Sequence, residues 1–86
     1  MAYRSLASDV RTGKRRASTL VWQLEDPTHH TLDCVAMTYG DGLVHLCTER
    51  AGVREDRGVY PDARAAVRSA LDLERTLMSN GWAKVV

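Results

Sequence analysis

The chain has 86 residues, enough for one domain with a modest core. Apolar residues make up 44% and charged residues 27%, with a net charge of +1, as in a soluble globular protein rather than a strongly basic or acidic one. Two cysteines are too few for a secreted disulfide scaffold, and nothing resembles a transmembrane run or a secretory signal, so a cytoplasmic protein without a membrane partner is expected.

Arginines outnumber lysines ten to two, and phenylalanine and isoleucine are absent. That usage suits a GC-rich bacterial or phage genome and weakens the arginine excess as a sign of nucleic-acid binding. The charge is uneven. Residues 1–17 carry +4 and residues 18–86 carry −3, so a basic arm precedes a mildly acidic domain.

In chain order, Tyr3, Leu6, Ala7 and Val10 have helical spacing and predict a short N-terminal helix or arm. Gly13 interrupts it, and a helix this short needs a docking surface. From Ser18 the pattern turns to strand. Thr19–Glu25 alternates, with Leu20, Trp22 and Leu24 on one face, and Asp26-Pro27 ends the run. A second strand is predicted over 31–39 and a third over 43–50.

Turn chemistry favours Asp41-Gly42 as a two-residue hairpin between them, which puts Tyr39 opposite Val44 and Met37 opposite Leu46. Gly40-Asp41 is the alternative. It shifts the register by two, places Cys34 opposite Cys47 and keeps the same faces. Residues 53–60 predict a charged edge strand, with Arg54, Glu55, Asp56 and Arg57 discouraging edge pairing. Asp62 is a good N-cap for a long helix over 63–79, Asn80-Gly81 closes it, and Trp82 can fold back on its last turn.

The helix presents Ala63, Ala66, Val67, Ala70, Leu73, Leu77 and Met78 on one face. This face is expected to cover Leu20, Trp22, Leu24, Val35, Met37, Tyr39, Val44 and Leu46. The fold class is therefore α+β, an antiparallel meander of three to four strands packed on one long C-terminal helix. Residues 1–17 form the arm and 18–86 the single domain. Glu74 interrupts the apolar helix face, so it either escapes at the sheet margin or meets a buried cation.

The richest chemical cluster is Asp26-Pro-Thr-His-His-Thr-Leu-Asp-Cys34, followed by His45 and Cys47. Zinc needs about four converging ligands, and His29, His30, Cys34, His45 and Cys47 lack the usual ligand spacing. A hairpin loop feeding a strand, with two reduced and buried thiols, is the expected reading, and no cofactor is expected. His45 and Cys47 lie i, i+2 on a strand with no orienting third group, and no phosphate loop or nucleophile elbow appears, so catalysis is not expected.

Two binding surfaces stand out. The sheet face away from the helix is expected to carry Val21, Cys34, Ala36, Thr38, His45 and Cys47, small and half apolar, as a site for a twin subunit or another protein. Basic groups offer the other. Arg11, Lys14, Arg15 and Arg16 in the arm, with Arg64, Arg68 and Arg75 along the helix, could contact phosphates. The order helix–strands–helix resembles the double-stranded-RNA-binding domain in topology alone; the glycine and lysine cluster of that family is replaced here by Pro61-Asp62-Ala63-Arg64. The sequence therefore favours a small interaction or accessory module, homodimeric and without catalytic activity. A nucleic-acid-binding accessory protein is the alternative.

Overall fold

The computed structural model describes residues 15–85. The short N-terminal helix or arm expected before them lies outside the described residues. The architecture is α+β, a five-stranded antiparallel sheet packed against one C-terminal helix. The elements are β1 Arg15–Glu25, β2 Thr31–Tyr39, β3 Val44–Arg50, β4 Val53–Tyr60, α1 Ala63–Ser79 and β5 Ala83–Lys84. Their order across the sheet is β4-β3-β2-β1-β5, a meander closed by a two-residue strand that the sequence pattern did not announce.

The β2–β3 turn corrects the expected hairpin. Thr38 pairs with Val44, Met37 with His45 and Cys34 with Thr48, a register midway between the two anticipated. Gly40, Asp41 and Gly42 form a three-residue loop. Tyr39 N–H donates to Leu43 O at 3.1 Å, Gly42 N–H donates to Tyr39 O at 3.0 Å, and Gly42 has φ 86°. The left-handed third residue is what such a loop requires, and glycine supplies it without Cβ strain. Asp41 accepts from Leu43 N–H at 2.9 Å and braces the loop.

One residue of register moves every β3 side chain to the opposite face relative to β2. Leu46 and Val44 therefore align with Cys34, Ala36 and Thr38, while His45 and Cys47 align with Val35, Met37 and Tyr39. In β1, a bulge between Leu20 and Trp22 has the same effect. Trp22 and Leu24 share the helix side, whereas Leu20 pairs with Val35 and is 56% exposed. Hence Leu20, Val35, Met37 and Tyr39 leave the face that α1 was expected to cover.

The helix-side core holds Trp22, Leu24, Leu32, Cys34, Leu46 and Ala70, with Leu73, Leu77, Tyr60 and Trp82 packed against it. Ala66 and Ala70 are fully buried, and their small side chains let α1 approach the sheet. A polar tie joins the sheet to the helix here, Trp22 Nε1–H donating to Ala70 O at 2.7 Å. Tyr60 Oη and Ser69 Oγ hydrogen-bond at 2.7 Å near the start of the helix.

The helix ends follow their cap chemistry. Asp62 accepts from Ala65 N–H at 2.8 Å. At the other end Trp82 N–H donates to Leu77 O and Gly81 N–H to Met78 O, with Gly81 left-handed, a Schellman arrangement that seats Trp82 on the core. Glu74 is half-buried in a groove at the sheet margin with Lys84 and Arg75.

Two substitutions test this packing. Trp22→Phe removes the buried donor to Ala70 and is expected to cost about 1–3 kcal/mol, read as a lower urea midpoint. In the β3–β4 turn Ala51 sits at φ 52°, where an ordinary side chain is strained. Ala51→Asn is expected to raise the midpoint, by roughly 0.5–1 kcal/mol.

Candidate functional site

In the Asp26–Cys34 stretch, residues 26–30 form a loop organised by one carboxylate, and Thr31–Cys34 open β2. Asp26 Oδ1 accepts from the Thr28 hydroxyl at 2.6 Å, from Thr28 N–H at 2.9 Å and from His30 N–H at 3.0 Å. The Thr28 hydroxyl, then the two backbone N–H groups, hold this carboxyl below its ordinary range, against partial desolvation. His29 closes the loop in the left-handed region at φ 68°, its N–H donating to Asp26 O. Both imidazoles are exposed. Arg50 reaches Asp26 at 3.3 Å and lies over the Trp82 ring at 5.7 Å, tying the loop to the end of α1.

The residues considered for a metal do not converge. Cys34 belongs to the helix-side core and Cys47 to a second cluster on the other face. Among the described residues no three His, Cys, Asp or Glu side chains come together as ligands. Neither cysteine is in a disulfide among the described residues, and both are fully buried. The sheet lies between them, so a disulfide has no geometry. Burial pushes the Cys34 thiol from 9.0 up to about 11; Cys47 and Glu74 act in the same direction and Arg57 against it.

The six residues expected to form one open sheet surface divide between the two faces. Val21, Cys34 and Ala36 pack on the helix-side core, and Thr38 shares the alternation of Cys34 and Ala36. His45 and Cys47 lie on the opposite face. That face is apolar in its own right. Met37, Tyr39 and Cys47 form a buried cluster with Val35 against it. Exposed Leu20 on β1 and exposed Val59 on β4 lie at its sides. Tyr39 and His45 rings meet at 4.4 Å. His45 Nε2 is buried and has no hydrogen-bond partner among the described residues. Arg54 crosses the rim, donating to Glu49 at 2.7 Å and touching Met37 Sδ at 3.7 Å.

Sequence reasoning placed Val35, Met37, Tyr39 and Leu20 under the helix and so missed them as members of this face. The available signal was the pair of glycines flanking Asp41, which permits a three-residue loop.

On the helix side, a cleft of about 480 Å³ opens between α1 and the β3–β4 hairpin. Its arginines are already engaged. Arg57 donates to the buried Thr48 hydroxyl at 3.0 Å and to Glu55 at 3.2 Å, and Arg50 is held by Asp26.

Of the basic residues, Arg11 and Lys14 lie outside the described residues. Arg15 and Arg16 open β1 rather than belonging to an arm that precedes it. Arg64 and Arg68 are exposed on α1, and Arg75 reaches Asp72 at 3.4 Å. Among the described residues no helix is long and apolar enough to cross a membrane. Comparison with protein-family models, with curated proteins and with solved structures gives no match for this chain.

At neutral pH neither cysteine is expected to react with a thiol reagent in the folded chain, and both are expected to react in urea, as a labelling time course read by mass would show. The raised Cys34 value also sets a pH dependence. The unfolded chain ionises first, so stability is retained below pH 9 and lost as pH climbs toward about 11, visible in urea midpoints across that window.

Proposed function

We propose that this protein is a small interaction module without catalytic activity, homodimeric, acting through the sheet face opposite α1. The observation that carries this reading is a second apolar cluster on the side away from the helix. Val35, Met37, Tyr39 and Cys47 make it up, with Leu20 and Val59 exposed beside it. A sheet with one wet face does not need a second apolar cluster. His45 Nε2, without a partner among the described residues, adds a polar group for which a docked surface could supply one.

A second reading, nucleic-acid binding, is favoured by exposed Arg64 and Arg68 on one helix. The near-neutral total charge and the Asp72–Arg75 pair weaken it. A DNA and RNA titration against salt decides the matter. Saturable binding that falls steeply with salt would support it, and none at low salt would remove it.

For the interaction reading, the tagged full chain is expected to retain a stoichiometric protein partner through a high-salt wash. Val59→Glu, exposed and outside both cores, is expected to abolish that retention with an unchanged circular-dichroism spectrum. Retention indifferent to Val59→Glu and to Leu20→Glu would sink this choice of face.

A further inference from the structure

Among the described residues, strand β1 is paired along one side and uncovered along most of the other. Its inner edge runs against β2 from Arg15 to Glu25. On its outer edge it meets β5 at Leu24 and Glu25, and Val85 N–H donates to Gln23 O. From Ala17 to Val21 no described strand covers that edge, and Ala17–Leu20 are exposed. A row of unpaired N–H and C=O groups is a template for another strand.

The two edges of the sheet differ in how they treat this hazard. Strand β4 carries Arg54, Glu55, Asp56 and Arg57 in succession, and that charge discourages pairing. Both strands carry register shifts; those of β1, between Arg15 and Ala17 and between Leu20 and Trp22, leave Ala17–Leu20 as its regular stretch. The stretch Ala17-Ser-Thr-Leu-Val-Trp-Gln23 has no charge, no proline and no glycine. Charge resumes at its two ends with opposite signs, Arg15-Arg16 before it and Glu25-Asp26 after it. An antiparallel pair of such strands sets the basic end of each copy toward the acidic end of the other.

We propose that β1 pairs with β1 of a second copy, antiparallel about a twofold axis near Thr19, joining two five-stranded sheets into one continuous sheet. This names the contact of the homodimer in the reading above and rests on that reading. With the axis at Thr19, residues 17–21 of each copy pair, and neither β5, at positions 24–25, nor the Val85 contact to Gln23 is displaced. Leu20 of each copy lies opposite Ser18 of the other and close to the second Leu20, which covers apolar surface now exposed. Both α1 helices fall on one side and both second faces on the other. The contact is isologous and closed, so it stops at two copies.

The test is the solution mass of the full chain by light scattering over a dilution series. The mass is expected to approach twice the 9.6 kDa of one chain as concentration rises. Thr19→Lys sets like charges against each other at the axis and is expected to weaken the dimer by about tenfold or more, as Thr19→Glu does. Thr19 is exposed, so neither change disturbs the core. Mixing the two variants is expected to restore the dimer, since lysine then opposes glutamate. Three results would overturn the proposal: a monomer at every concentration, a dimer indifferent to Thr19→Lys, or a dimer that forms only after residues 1–14 are removed. Val59→Glu, far from β1, is expected to leave the dimer intact. Failure of edge pairing is thereby separated from failure of the second face.

Discussion

The left-handed conformation at Gly42 decides which residues this fold buries where. It allows a loop of three residues where two were expected, and that sets the β2–β3 register. Strand side chains alternate with a period of two, so the extra residue turns β3 over as a unit. Leu46 joins Trp22 and Leu24 beneath α1, and Cys47 joins Met37 and Tyr39 on the far side. The bulge in β1 completes the sorting by keeping Trp22 in place while moving Leu20 across. Without both offsets the sheet would have one heavily apolar face and one small-residue face. With them, it has two modest cores.

Local chemistry was legible in the sequence and parity was not. The bounds of α1, its Asp62 cap, its Gly81 terminus and the return of Trp82 all follow from residues within a few positions of one another. The spans of β2, β3 and β4 were equally plain. Face assignment failed because β2 carries apolar groups on both alternations, Leu32, Cys34 and Ala36 on one and Val35, Met37 and Tyr39 on the other. Either set could have met the helix, and only the turn length distinguishes them. Strand β5 escaped notice because two residues hold no periodicity; their place comes from Trp82 docking first. The candidate surface inherited the parity error, which is why its six members divide between two faces.

Charge plays a local part throughout. Asp26 organises a five-residue turn, Arg50 joins that turn to Trp82, and Arg57 satisfies the buried Thr48 hydroxyl. These are mostly exposed pairs of small individual worth. Their effect is to fix loop and rim geometry around cores that hydrophobic burial stabilises. The two histidines of the Asp26–Cys34 stretch belong to this scaffolding. Both are exposed, and among the described residues they belong to no group of three ligand-type side chains.

The strand order has a kinetic consequence. Strands β1 to β4 are neighbours in space in the order in which they occur in the chain, each joined to the next by a tight hairpin. Contacts between such neighbours close short loops, which costs little chain entropy and allows rapid assembly. Pairing of β5 with β1 is the exception, bringing together residues about sixty positions apart. Until α1 has docked, that pairing carries the largest loop-closure penalty in the described fold. The meander is thus positioned to assemble hairpin by hairpin. Closure by β5 would come last, so the outer edge of β1 at Leu24 and Glu25 is covered late in folding, next to the Ala17–Val21 stretch that no described strand covers.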